Sequence, residues 1–183
     1  MPERSNLAAG DTRAVLLKIY AINDGMNQLI LSELDPGAWR ATPPGAPGSG
    51  RTIAAVFVHL HNCRVRWLRN SAPHLKRPDP LDPHRCTMPQ AAKGLERSAA
   101  ACLRMLTEAF SDDPKRRVTK FIRDSWMPVW PAGTAMFAYM FSHEAHHRGQ
   151  ITMLAHQLGY QLPNQAGGIW WWDKLWKQGG ISA

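Results

Sequence analysis

The sequence is poor in cysteine and has no long apolar run. Only three cysteines occur among its 183 residues, Cys63, Cys86 and Cys102, and they match no metal-binding spacing. An odd number of scattered cysteines is typical of a reduced, cytoplasmic protein, which is the expected location. No apolar run reaches the roughly 18 residues that a transmembrane helix needs, and the N-terminus lacks the features of a signal peptide. We therefore expect no membrane association.

Acidic residues are also few relative to basic ones. The chain has 14 Asp and Glu against 22 Lys and Arg, which gives a formal net charge of +8. Such a charge fits a nucleic acid, a membrane surface or an anionic small molecule as partner. The cations form only loose groups near residues 64–69 and 115–123, and no zinc-finger spacing or RNA-binding aromatic signature accompanies them. A solvated basic surface is the first interpretation, an anionic small-molecule substrate the second, and a nucleic-acid partner is disfavoured.

Four segments have apolar residues at the three- and four-residue steps of an amphipathic helix. Thr87 and Gln90 form a capping box at the start of the third segment, and Gly159 has the position of a C-terminal cap after the fourth. Residues 115–133, interrupted by prolines, are expected to form a packed connection with one short helical turn and no strand. The pattern predicts an all-α protein, an up-down four-helix bundle, with residues 1–183 forming a single domain.

The C-terminal segment is rich in tryptophan. Ile169, Trp172 and Trp176 share a helical face, which predicts a short amphipathic helix after the bundle. Aromatic side chains of this size are more often docked on the domain or on a second copy than placed at a membrane. A small bundle has difficulty covering them all, so we expect a homodimer.

Two histidines in the fourth segment carry the main chemical signal of the chain. His143 and His147 are four residues apart and fall on the apolar stripe between Met140 and Ile151, so both rings point toward the interior. Burial of two polar rings is costly unless they have partners. A divalent metal ion is such a partner, and a His-x3-His pair on a helix is a common way of binding one. The spacing therefore predicts a metal site.

The second helix carries two further histidines that could face the interior. His59 shares a face with Val56 and Cys63, whereas His61 shares a partly apolar face with Val65. Periodicity alone leaves both histidines open. Cys63, one turn after His59, could be a fourth ligand in principle, but a small buried hydrophobe is the more common role of such a cysteine.

These motifs resemble those of a known family. The segment from His143 to Gln150, HEAHHRGQ, resembles the His-x3-His-Arg-Gly-Gln signature of the DinB-like (damage-inducible) metal-binding four-helix bundles. The pair His59-Leu60, with a tryptophan eight residues after His59, is similar to the family's second-helix pattern, in which the histidine before leucine is the third ligand. The resemblance therefore implies that His59, His143 and His147 bind one divalent ion, with zinc, nickel and iron all suited to imidazole.

The same resemblance implies a class of reaction. Related proteins include bacillithiol S-transferases and a mycothiol-dependent maleylpyruvate isomerase, and members of the family are often dimers. We therefore expect a metal-dependent enzyme that activates a low-molecular-weight thiol, which could be anionic, for transfer or isomerisation. The alternatives are a metal-dependent hydrolase that uses metal-bound water, and a non-enzymatic metal-binding or interaction protein.

A rival motif overlaps the same histidines. The segment also satisfies His-Glu-x-x-His, the zinc-protease signature, in which Glu144 would be the general base. The extended form of that signature needs a histidine where Met153 stands, and no glutamate follows Glu144. A protease is therefore disfavoured. Glu144 is expected to be solvated, or to orient a ligand imidazole, and His146 lies off the stripe in a similar role.

Overall fold

The computed structural model describes residues 9–42 and 51–163, together with Lys177. A 3-10 turn, Pro36–Ala38, follows the first helix, and the strands β1, Lys120–Phe121, and β2, Trp130–Pro131, precede the last helix. The four long helices are α1, Ala9–Glu33; α2, Ile53–Ser71; α3, Met88–Ala109; and α4, Thr134–Gln157. These helices confirm the predicted all-α bundle. None of the helices in the described ranges is long and apolar enough to cross a membrane.

Local sequence signals account for three of the helix ends. The Thr52 side chain caps α2 by accepting from the Ala55 amide, and the capping box of Thr87 and Gln90 at the start of α3 is present as predicted. Gly159 follows α4 with a φ of +82°, a left-handed conformation that glycine adopts without strain. These signals mark the start of α2 and the end of α4, the two helices that carry the candidate histidines.

The helices pack so that α1 and α2 each contact both α3 and α4. The buried apolar side chains form two clusters along the bundle. One includes Phe57, Leu60 and Ile151, and the other includes Trp67 and Met140. Buried polar side chains lie at the boundary between these clusters on α1, α2 and α4. The bundle therefore has a polar layer at mid-height, and the candidate site lies at this level.

The connection between α3 and α4 differs from the prediction. It contains an antiparallel pair of two-residue strands, in which Phe121 pairs with Trp130. The expectation of no strand was wrong because Pro128 and Pro131 break the local pattern, while the pairing depends on contacts with α2 and α4. The predicted tryptophan-rich helix lies outside the described residues, apart from Lys177.

Candidate metal centre

The three predicted ligands come together between α2 and α4. His143 and His147 lie one turn apart on α4, and their Nε2 atoms are 3.3 Å apart. The His59 ring, on α2, lies with its centroid 5.5 Å from that of His143 and 4.6 Å from that of His147. Since the three rings lie 4.5–5.5 Å apart, centroid to centroid, the cluster has the composition of a three-histidine metal site. Their binding of a metal stays a prediction.

Hydrogen bonds fix one of these rings. Gln150 Oε1 accepts from Nδ1 of His147 at 2.7 Å, so Nε2 of His147 carries the lone pair that faces His143. The amide nitrogen of the same Gln150 contacts Nε2 of His146 at 3.0 Å. His146 is exposed and does not join the cluster. Gln150 is thus a residue that orients a candidate ligand, as the surroundings of metal-bound histidines commonly do.

Aromatic side chains hold the second ring of the pair. The Tyr139 ring stacks on His143 at 5.9 Å, and Trp67 meets the same imidazole edge-on at 5.2 Å. The Arg123 guanidinium lies over both Trp130, at 3.8 Å, and Tyr139, at 4.9 Å. The strand-containing connection therefore forms part of the wall of the site.

Burial keeps the histidines neutral. Desolvation, followed by the charge of His147, lowers the pKa of both His59 and His143 to about 4. Desolvation also lowers the pKa of His147, against the opposing effect of its bond to Gln150. Nδ1 of His143 is buried and has no hydrogen-bond partner among the described residues. Neutral imidazoles with an unsatisfied buried nitrogen fit a divalent cation.

Cys63 lies at the edge of the same cluster. Its Sγ is 3.4 Å from Nε2 of His59, and ligand atoms of His59, Cys63 and His143 all lie within 4.8 Å of one another. Burial, partly offset by the charge of Arg66, raises the pKa of Cys63 to about 11. The thiol is therefore protonated near neutral pH. Cys63 is buried, as the sequence predicted, and it lies beside the candidate ligands His59 and His143.

Glu144 is not the solvated residue that the sequence predicted. Its side chain is fully buried and accepts hydrogen bonds from Arg64 at 2.6 and 2.8 Å, from Asn23 at 2.7 Å and from Asn27 at 2.8 Å. Tyr20 adds a longer bond of 3.3 Å. The carboxylate is therefore engaged by the polar layer of the bundle instead of being presented to the histidines as a protease base. The prediction failed because all of these partners come from α1 and α2.

The ionic state of this layer follows from its contacts. Burial raises the pKa of Glu144, but the charge and hydrogen bonds of Arg64 outweigh it, and the net shift is downward. Asp24 also pairs with Arg64, with an N–O distance of 2.8 Å. Arg148 donates to the Asn27 side chain at 3.1 Å, so the arginine of the motif joins α4 to α1. The layer therefore ties α4 to α1 and α2 through buried hydrogen bonds.

His61, the competitor of His59, has a different place. Its ring is buried, with Nδ1 3.2 Å from Ser98 Oγ and Nε2 2.9 Å from the Asp79 carbonyl oxygen. Both nitrogens are therefore used in holding α3 and the α2–α3 connection. His61 is a satisfied core histidine and does not join the cluster.

Comparison with known protein families matches residues 6–172 of the chain to the DinB family. Comparisons with curated proteins and with solved structures found no match. The match covers all four helices and both parts of the candidate metal site. The chain therefore belongs to the DinB family.

Proposed function

We propose that the protein is a metal-dependent enzyme that uses a low-molecular-weight thiol in an S-transfer or isomerisation reaction. The proposed ligands of the divalent ion are His59, His143 and His147. The observation that carries the proposal is the convergence of three neutral, half-buried or buried imidazoles from two helices, with ring centroids 4.5–5.5 Å apart. Three protein ligands are typical of catalytic sites, in which a further coordination position is open.

Zinc, nickel and iron all suit such a donor set. When bound, an ion with three neutral ligands lowers the pKa of a thiol or water that it holds, and so supplies an ionised nucleophile near neutral pH. The contribution of the chain is to keep the imidazoles deprotonated by burial and to fix their orientation through Gln150 and Trp67. Because the imidazoles are already neutral and oriented, a metal ion can bind near neutral pH without displacing protons from them.

An external thiol is favoured over the protein's own cysteine. With its pKa raised to about 11, Cys63 has little thiolate near neutral pH. Cys102 is more deeply buried, and its pKa is raised to about 12. In a transfer reaction, the external sulfur would form the bond to the electrophilic carbon, the leaving group would depart with the bond electrons, and the thiol proton would pass to solvent.

Two arginines near His59 favour an anionic thiol over a neutral one as the proposed substrate. Arg51 and Arg66 lie close enough to His59 for their charges to contribute to its lowered pKa. Arg66 is held by an ion pair with Asp124, whereas Arg51 is exposed at the start of α2. Their positive field would attract an anionic thiol to this end of the site.

The test is an assay of the metal-loaded protein with anionic and neutral thiols and a chromogenic electrophile. The matched variants are His143→Ala, within the cluster, and His156→Ala, an exposed histidine on the same helix. Thiol conjugation that is lost in His143→Ala and kept in His156→Ala supports the proposal. Metal-dependent ester cleavage without thiol favours the hydrolase, and absence of both reactions favours the interaction protein.

We propose that the protein forms a homodimer. The tryptophan-rich segment that motivates this proposal lies outside the described residues, but the described part adds exposed apolar side chains. Trp126 is 76% exposed, Met153 63% and Val129 53%. Light scattering at micromolar concentration is expected to give twice the chain mass, and a mass equal to one chain would contradict the proposal.

A further inference from the structure

A cavity lies against α2, on a different side from the histidine cluster. It is bounded by α3 and by the α2–α3 connection, has a volume of about 830 Å³, and includes His61 in its lining. His59 and His61 are two residues apart on a helix and so point in roughly opposite directions. The volume is in the range of small-molecule pockets, about 300–1,000 Å³.

The outer wall of this cavity is anchored. The Asn62 side chain donates to the Leu81 carbonyl at 2.9 Å and accepts from the Leu81 amide at 2.8 Å. One side chain therefore holds both backbone polar groups of Leu81. His61 contacts the Asp79 carbonyl at 2.9 Å. A Cβ added at Gly94 would lie 2.7 Å from Leu81 Cδ1, so glycine permits this close approach. The wall of the cavity is therefore held by contacts within the chain itself.

The lining is strongly basic. Six cations against the two carboxylates of Asp79 and Asp82 leave a net charge of +4. The one ion pair within the lining among the described residues is a loose one, 3.9 Å, between Arg85 and Asp82. The six cations are Lys76, Arg77, Arg85, Lys93, Arg97 and Arg104. Those on α3 recur at steps of four and seven residues, which places them along one face of the helix.

We propose that this cavity binds a small phosphorylated anion of the di- or triphosphate class, at a site separate from the metal centre. A di- or triphosphate carries several negative charges near neutral pH, opposite in sign to the excess charge of the lining. Its oxygens accept the charge-assisted hydrogen bonds that lysine and arginine donate.

The form of the cavity favours a small molecule over a nucleic acid. A nucleic-acid backbone is bound by a continuous track of cations that neutralises successive phosphates. Here the connection closes one side, and Asp79 and Asp82 interrupt the positive lining. Leu81 and Pro78 supply an apolar portion beside the charges, which suits an organic group attached to the phosphates.

The test is calorimetric titration of the purified protein with inorganic triphosphate and with a nucleoside triphosphate. The site variant is Lys93→Gln combined with Arg97→Gln, and the matched control is Lys115→Gln combined with Arg116→Gln. Each pair removes two exposed positive charges, so the change in net charge is the same. Melting temperatures check that all variants fold. The His147→Ala variant is titrated in parallel, because phosphates also bind metal ions.

The expected result is saturable binding that weakens at least tenfold in the site variant and less than twofold in the control. Binding is expected to persist in His147→Ala. Equal weakening in both charge variants, or loss in His147→Ala, would overturn the proposal. So would tighter binding of a single-stranded oligonucleotide that displaces the triphosphate, or absence of saturable binding of either probe.

Discussion

Replacement of Glu144 by glutamine is expected to destabilise the fold while leaving the metal site formed. The carboxylate receives five hydrogen bonds from four side chains, two of them from Arg64. Glutamine keeps the shape of the side chain but removes its charge and turns one accepting oxygen into a donor. At least two of the five donors then face a donor, and Arg64 loses its main counter-charge.

The magnitude follows from the burial of this ion pair, since Arg64 and Glu144 are both fully buried. Removal of one member of a buried pair costs about 3–5 kcal/mol. Asp24 still pairs with Arg64 in the variant, which places the expected cost at the lower end, about 3 kcal/mol. For a domain of this size, that loss lowers the melting temperature by about 6–12 °C.

The assay is thermal unfolding of metal-free protein, followed by circular dichroism, so that bound metal does not mask the difference. The control is Asp112→Asn, whose carboxylate is 81% exposed and pairs with Arg13. Exposed pairs contribute about 1 kcal/mol or less, so its melting temperature should fall by about 4 °C or less. A fall in the melting temperature of Glu144→Gln that is no larger than that of the control would refute the stabilising role of the layer. Loss of metal from folded Glu144→Gln would instead assign Glu144 to the site.

The remaining predictions concern the histidine cluster. Gln150→Ala should weaken metal binding by about 10–100-fold, because His147 loses the hydrogen bond that orients its ring. Competition with a chromogenic chelator measures the affinity, and an unchanged affinity would contradict the orienting role of Gln150. The pKa values of His59 and His143 are about 4 in the folded protein. Below about pH 6.5 the unfolded chain therefore binds more protons at these residues than the folded chain does. The free energy of unfolding of the metal-free protein should accordingly rise from about pH 4 to about 6.5. Urea unfolding across this range tests the sign, and His143→Gln should reduce the slope.

Much of the bundle could be predicted because its signals are local. The capping box of Thr87 and Gln90, the glycine after α4 and the histidine spacing on α4 all depend on residues within one turn of one another. The metal pair was recognisable for the same reason. Gln150 stands three residues after His147, so its orienting contact was within reach of the same reasoning.

The features that sequence reasoning missed depend on residues far apart in the chain. Glu144 and Arg64 are 80 positions apart, and no helical periodicity relates them. An acidic residue beside a histidine is usually solvated, and only the packing of α1 and α2 makes this one a buried anion. The choice between His59 and His61 also required the family resemblance, because both histidines lie on partly apolar faces of α2. Only the fold shows that His59 joins the histidine cluster, whereas His61 is hydrogen-bonded in the core.

The central claim is that His59, His143 and His147 bind one divalent ion. Its most direct test is elemental analysis of purified wild-type protein beside His147→Ala and His146→Ala, which differ by one position on the same helix. We expect about one zinc, nickel or iron ion per chain in the wild type and in His146→Ala, and loss of that ion in His147→Ala. Full occupancy in His147→Ala, or loss of the ion in His146→Ala, would show that the ligand assignment is wrong.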